Sequence, residues 1–575
     1  MTEEKKLTGY PSIDKPWLKY YSEEAINAPL PECTLYDYLL ENNKCHTEDI
    51  AINYYGCKIT YSELFRKIDE TAAAFYAMGV KAGDTVTVIT LSCPSSVFCL
   101  YGLNRIGAVI NYVNVLASLE ELSDYIIDAG SKIVVAMDVF ADKTLKAAKN
   151  AGAENLVVYS IDDGMPVTIR LGLQYKMRKQ DASYKQDSMV VLWKNFINNG
   201  REAKPQYGKD PAATCYLAHT GGTTGTPKSV LLNDIAFNTV TNSYILSMPH
   251  QRGEVFLSMM IPYVVYGTLI NIHMPLCLGL EVVIVPRFDV SKWAHYLRKY
   301  NVNHCCSIPA YIVPMMDDPN LQSMDLSKLK TVGTGGEGMN ALLEEQLNQF
   351  LERHNSPAKI LAGYGMTETC STAAVAFAFA RKTGSVGIPL SHNLIIAYDN
   401  DAHTECTYDE SGEICMRCAS EMLSYKDNKV ETDALYRVHP DGSRWIHTGD
   451  IGHIDSDGFI FIEERMKRMI VTIIDGAGYK VFPNMIEKVL DECPDVKASC
   501  VVGMKKGNDF LLKAFVIPEN KHDNASLEQK LMDLCESNLS ENARPVSYSF
   551  IEHFPRTSAG KIDYRALEKR AEESE

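Results

Sequence analysis

The segment Cys215-Tyr-Leu-Ala-His-Thr220-Gly-Gly-Thr-Thr-Gly225-Thr-Pro-Lys228 ends an apolar run in glycines, threonines and one lysine. Glycines let backbone N–H groups turn towards an anion, hydroxyls donate further hydrogen bonds, and lysine adds a point charge. Thr220, Gly221, Gly222, Thr223, Thr224, Gly225 and Lys228 are therefore the parts needed to hold a polyphosphate. Pro227 stands where a Walker A loop has glycine, which excludes that loop. Taken alone, the segment also reads as a flexible surface loop.

Three further segments carry reactive side chains at short spacing. Gly363-Tyr364-Gly365-Met366-Thr367-Glu368 offers a ring to stack on a base, a hydroxyl for a phosphate, and a carboxylate for Mg²⁺, a hard cation preferring oxygen. Trp445-Ile-His-Thr448-Gly449-Asp450 places a carboxylate after a glycine, suited to accepting hydrogen bonds from a ribose diol. Near the C-terminus, Phe554-Pro-Arg-Thr-Ser-Ala-Gly560-Lys561 puts a lysine on a short glycine loop. Each alone has an equally good reading as an ordinary turn.

The surrounding pattern shows what positions these loops. Apolar runs such as Thr85–Thr90, Lys132–Met137, Leu156–Ser160, Cys215–Thr220, Glu281–Pro286 and Lys359–Ala362 alternate with helical patterns such as Ser62–Met78 and Ser95–Ile106. That alternation predicts an α/β fold, with a large multi-sheet N-terminal domain of parallel βα layers. Its active loops lie at the carboxyl ends of strands. After Arg465 the pattern becomes helix, strand, strand, helix, which predicts a separate small α+β domain. The apolar stretch from Val255 to Leu280 is interrupted by Pro262, Gly267, Asn271 and Pro275, so it reads as buried strand, turn and helix rather than a bilayer span.

Composition narrows the function classes. The 575 residues carry 57 Lys+Arg against 73 Asp+Glu, a formal charge of −16, which argues against a nucleic-acid partner. Residues 170–185 are basic against this background and read as a solvated insertion or a peripheral membrane contact. The 16 cysteines are scattered, and the pair Cys415/Cys418 lies in an alternating, strand-like run without a second pair at zinc spacing. They read as reduced structural thiols, and with no apolar segment at the start a cytoplasmic protein is expected.

The order of these segments resembles the adenylate-forming superfamily of acyl-CoA synthetases, peptide-synthetase adenylation domains and firefly-type luciferases. The likeness runs from Ile59-Thr-Tyr-Ser-Glu-Leu64 through Gly335-Gly336-Glu337-Gly338 and Gly412-Glu413 to Lys561. It implies an adenylation domain over 1–464, a hinge at 465–468 and a mobile C-terminal domain over 469–575. By resemblance, Thr220–Lys228 cradles the β,γ-phosphates of ATP, and Tyr364 with Gly336, Glu337 and Gly338 flanks the adenine. Thr367 and Glu368 serve the α-phosphate and Mg²⁺, Asp450 and Arg465 hold the ribose, and Lys561 contacts both the attacking carboxylate and the α-phosphate. The implied product is an acyl-AMP, passed to coenzyme A or to the phosphopantetheine of an acyl carrier protein. A non-catalytic nucleotide-binding or scaffold protein of the same fold is the contrasting reading.

Three places depart from that pattern. The hinge reads Glu464-Arg465-Met-Lys467-Arg468, with arginine at 468 in place of the usual aspartate or lysine. The run from Val471 to Ala477 is unusually long before Gly478, whose loop lines the thiol channel in relatives that use coenzyme A. In the acyl pocket, Tyr263, Val264 and Gly267 (with Gly335) form an apolar set, valine replacing a frequent histidine. No Asp or Glu lies between Glu254 and Glu281 to receive a substrate ammonium, so a hydrophobic acid, fatty or alicyclic, is expected.

Overall fold

The computed structural model describes residues 7–166, 183–220, 228–468, 470–474, 477–506, 509–519, 524–557 and 562–573. The chain divides into two compact units, one of residues 17–394 with 417–434, the other of residues 1–16, 395–416 and 435–575.

Within the first unit, the described strands form an eight-stranded and a nine-stranded sheet. Runs read as strands fold as strands because they are apolar on both faces. Ile133–Met137 is buried at every residue and pairs in parallel with Asn155–Tyr159 and Thr85–Ile89. The motif Ile59–Leu64 has a local physical cause, since Thr60 and Glu63 close a capping box that starts the helix Tyr61–Ala77. Helix Pro94–Arg105 is buried from Pro94 to Asn104, as expected for a helix apolar all round. The α/β expectation is borne out.

The long apolar stretch does not form a span. Strand Val255–Ser258 leads into a short helix Val265–Thr268, a π-helical turn Leu269–His273, a further turn Met274–Cys277, and strand Glu281–Ile284. Among the described residues no helix is long and apolar enough to cross a membrane.

The second unit holds a largely antiparallel sheet in which Arg444–Ile454 is flanked by Gly412–Arg417, Tyr436–Val438 and Ile460–Arg465. The long run after the expected hinge belongs to an antiparallel hairpin, with Ile470–Ile474 paired to Ala477–Val481. Beyond it, helix Pro483–Asp491, strands Val496–Lys506 and Asp509–Pro518, and helix Asn524–Asn538 follow the expected order. Ile486, Leu490, Val501, Leu512, Val516 and Leu531 form their common core.

Candidate active site

In the first unit the glycine- and threonine-rich loop joins two antiparallel strands, Thr214–Thr220 and Lys228–Asn233, whose ladder sets Thr220 opposite Lys228. Gly221, Gly222, Thr223, Thr224 and Gly225 lie outside the described residues. Lys228 makes an ion pair with Glu431 and sits 4.7 Å over the ring of Tyr425. That ring arrives on the two-residue strand Ser424–Tyr425, which adds to Lys228–Asn233 with Tyr425 opposite Val230. The Tyr425 hydroxyl donates to Glu368 Oε1 at 2.5 Å. One tyrosine thus joins the lysine of the loop to the proposed metal carboxylate, a link that spacing alone did not reveal. Tyr425 and Glu431 carry no periodic signal in the sequence.

Glu368 is buried, and its backbone carbonyl accepts the Met422 N–H at 2.8 Å. Mg²⁺ is usually bound through one or two carboxylates together with substrate phosphates and water, so a single buried carboxylate linked through Tyr425 to Lys228 fits that ion. Thr367 and Glu368 form a single 3₁₀ turn, Thr367–Thr369. It is followed by Cys370 and Ser371, both at positive φ (53° and 81°). Two consecutive non-glycine residues in that region indicate strain held by the surrounding fold. The reason is close packing: a Cβ on Gly365 would come within 2.1 Å of the Ser371 carbonyl oxygen.

Gly335 and Tyr364 end neighbouring parallel strands, Thr331–Gly335 and Ile360–Tyr364, with Gly335 opposite Gly363. Gly336, Glu337 and Gly338 therefore leave the sheet at the same edge as Tyr364 and Thr367, the carboxyl edge where ligands bind in such folds. His219, not singled out by its sequence context, lies on strand Thr214–Thr220 with Asn111 Oδ1 and Ser229 Oγ at 2.7 and 3.1 Å from its ring nitrogens. Burial holds its pKa down at about 4, against a smaller upward pull from Asp128, so the ring is neutral at pH 7.

Of the expected acyl-pocket residues, Tyr263 and Val264 precede the broken helix, Gly267 lies in its first turn, and Gly335 ends strand Thr331–Gly335. Tyr263 and Val264 are half-buried, and burial pushes the Tyr263 hydroxyl up to about 12. Gly267 has a steric cause, since a Cβ there would fall 1.9 Å from the Ile261 carbonyl oxygen. The Tyr266 hydroxyl donates to the Ser307 carbonyl at 3.2 Å.

In the second unit the pair expected at the ribose is already assembled. Asp450 and Arg465 are cross-strand partners, with Arg465 Nε 2.7 Å from Asp450 Oδ1. Asp450 sits on a bulge: Glu413 aligns with Ile451 but Cys415 with His447, so three residues, Thr448 to Asp450, oppose the single Ile414. Gly449 takes φ of +73° within it, and its N–H donates to Glu413 Oε1 at 3.0 Å. The Thr448 hydroxyl donates to the Ile414 carbonyl at 2.7 Å and accepts the Asp450 N–H at 3.1 Å. The Gly412-Glu413 motif is thus a buttress for the aspartate turn.

Of the expected hinge, Lys467 lies in the 3₁₀ turn Met466–Arg468. Arg468 bonds Glu487 at 2.5 Å, lies 3.5 Å from Glu464 and stacks 4.2 Å over Tyr564. Burial alone would lower its pKa, but these neighbours outweigh it and the guanidinium is held charged. Gly478 lies in the hairpin strand opposite Ile473. Lys561 and residues 170–182 of the basic insertion lie outside the described residues. All 16 cysteines are free thiols.

Comparisons with known proteins bear on the chain as a whole. A long-chain-fatty-acid–CoA ligase of Bacillus subtilis (strain 168) is 27% identical over 563 residues, covering 96% of this chain and 97% of the relative. A probable 4-coumarate–CoA ligase 1 of Dictyostelium discoideum is 25% identical over 550 residues, covering 94% and 96%. In fold, the anthranilate CoA ligase AuaEII solved with anthranoyl-AMP matches at a TM-score of 0.79 and 20% identity, over 95% of this chain and 98% of that one. The model of the AMP-binding enzyme family matches residues 39–426 and that of its C-terminal domain residues 485–561. With most of its length inside those two matches, the chain belongs to the AMP-binding enzymes of the adenylate-forming superfamily.

Proposed function

We propose that the protein activates a hydrophobic carboxylic acid, fatty or alicyclic, with ATP and Mg²⁺ and passes the acyl group to coenzyme A. A carboxylate oxygen of the acid attacks the α-phosphorus, and the bond from that phosphorus to pyrophosphate breaks. The thiol of coenzyme A then attacks the acyl carbon, AMP leaves, and the thiol proton passes to solvent. Attack of one anion on another requires charge neutralisation and in-line positioning. Mg²⁺, when bound at Glu368, supplies part of that neutralisation.

The chain's own residues take the remaining tasks. Thr220 to Lys228 hold the outer phosphates, Tyr364 with Gly336, Glu337 and Gly338 hold the adenine, and Asp450 with Arg465 holds the ribose. Thr367 serves the α-phosphate, and Lys561 draws acid and α-phosphate together. Residues 469–575 act as the mobile domain about a hinge at 465–468. Tyr263, Val264, Gly267 and Gly335 line the acyl side, where the lack of a carboxylate between Glu254 and Glu281 leaves an ammonium without an acceptor.

The observation that supports this reading most is the joined Lys228–Tyr425–Glu368 group, whose lysine and carboxylate follow strands Thr214–Thr220 and Ile360–Tyr364 in the chain. The names of the relatives, fatty-acid and 4-coumarate ligases, point to the same reaction class. The test separates the half-reactions. Lys561→Ala should abolish adenylate formation yet spare thioester formation from supplied acyl-AMP and coenzyme A. Equal loss in both steps contradicts the assignment, and thioester formation only with a purified carrier protein would move the acceptor from coenzyme A to phosphopantetheine.

A further inference from the structure

Cys415, His439 and His447 come from three separate segments of the second unit and meet on one face of its sheet. Cys415 and His447 are direct cross-strand partners, so their side chains leave the sheet together. His439 follows strand Tyr436–Val438, and a tight turn, with its N–H donating to the Ser443 carbonyl at 2.9 Å, returns the chain into strand Arg444–Ile454. One ligand atom from each residue lies within 4.8 Å of the other two, and all three residues are buried. Among the described residues it is the one such group of His, Cys, Asp and Glu. Cys418, the other half of the C-x-x-C pair, is not part of it.

The two rings are held as ligands are held. Glu413 Oε2 lies 2.7 Å from His447 Nδ1. A carboxylate only accepts, so Nδ1 carries the proton and Nε2 presents its lone pair. Nε2 in turn lies 3.0 Å from His439 Nε2. A carboxylate orienting an imidazole from behind is the arrangement found behind metal-bound histidines. The His439 ring is clamped between Tyr398, at 3.9 Å and 22°, and Trp445, at 5.4 Å and 18°.

We propose that Cys415, His439 and His447 bind one Zn²⁺, with Glu413 orienting His447 from outside the ligand set and water in the fourth position. One thiolate and two imidazoles suit zinc, whose bonds to sulfur and nitrogen are about 2.3 and about 2.0–2.1 Å; the Cys415 thiol, now 3.5 Å from His447 Nδ1, completes the set by turning towards Nε2. Binding expels the Cys415 thiol proton to solvent, and the thiolate offsets part of the charge of the ion. The proposal does not rest on the reading of the nucleotide site, although Glu413 also accepts the Gly449 N–H beside Asp450.

The test uses the full chain, stripped with a chelator, loaded with zinc sulfate and desalted. Elemental analysis should find about one zinc per chain in the unaltered protein, with Cys415→Ser and His439→Asn each weakening zinc binding at least about tenfold. Exposed Cys45→Ser should leave it unchanged. Cobalt loaded in place of zinc should give the near-ultraviolet thiolate-to-metal band of a sulfur ligand, lost in Cys415→Ser. The cobalt spectrum of the unaltered protein needs no variant, so a misfolded variant does not blunt the test. No retained zinc, no thiolate band, or full retention in both variants would overturn the proposal and leave a plain hydrogen bond between two imidazoles.

Discussion

Lys228 in the first unit and Arg468 in the second are built from the same three parts: a cation, an aromatic face and a carboxylate. They differ in how wet the carboxylates are. The Glu431 side chain is 46% exposed, whereas Glu487 and Glu464 beside Arg468 are 12% and 4% exposed. An exposed pair contributes little and exchanges easily, so a polyphosphate can displace Glu431 and take the lysine. A buried cation has no such freedom, because separating it from its partners leaves an unpaired charge in a low dielectric. The exposure of the partner thus separates a cation available to a substrate from one that holds the fold.

Four substitutions separate the two kinds of cation. Lys228→Ala should lower acid-dependent pyrophosphate exchange by about 10²–10³-fold, with the unfolding midpoint nearly unchanged. Arg468→Ala should do the reverse to stability, costing about 3–5 kcal/mol in denaturant titration because Glu487 loses its buried partner. A wet Arg468 site would show instead as a loss below about 1 kcal/mol.

The buried histidines extend the contrast to pH. His273, fully buried between Tyr101 and Asn238, is held by burial at about 3, below its ordinary 6.5. The unfolded chain therefore binds the extra proton between these values. Stability is complete above about pH 6.5 and falls as the pH drops, by up to about 1.4 kcal/mol per unit. His273→Gln should flatten that slope in chemical denaturation at pH 7 and pH 5, whereas an unchanged slope would place the loss elsewhere. The smallest effect is expected for Glu431→Gln, which frees Lys228 and should lower the KM for ATP by about two- to threefold with no measurable change in stability. A raised KM would mean that Glu431 helps hold the nucleotide.

Much of the fold is legible in the sequence, for physical reasons that differ by region. Thr85–Ile89 and Ile133–Met137 were evident because strands buried on both faces are written as unbroken apolar runs. Ile59–Leu64 carries its own helix start in Thr60 and Glu63. Tyr425 was invisible, since a two-residue strand has no period and its place beside Lys228 depends on pairing across the chain. Cys415 was expected as an ordinary strand thiol, and its alignment with His447 rests on a register set by the bulge at Thr448–Asp450. Sequence pattern announces what is periodic or locally capped, whereas cross-strand register is a property of the folded sheet.

The central claim is that this chain joins an acid to AMP, and exchange of radiolabelled pyrophosphate into ATP tests it most directly. Across a panel of fatty, alicyclic, aromatic and amino acids, exchange should appear with hydrophobic acids, require Mg²⁺, and vanish in Lys561→Ala. Exchange absent with every acid, or independent of any acid, would contradict the account.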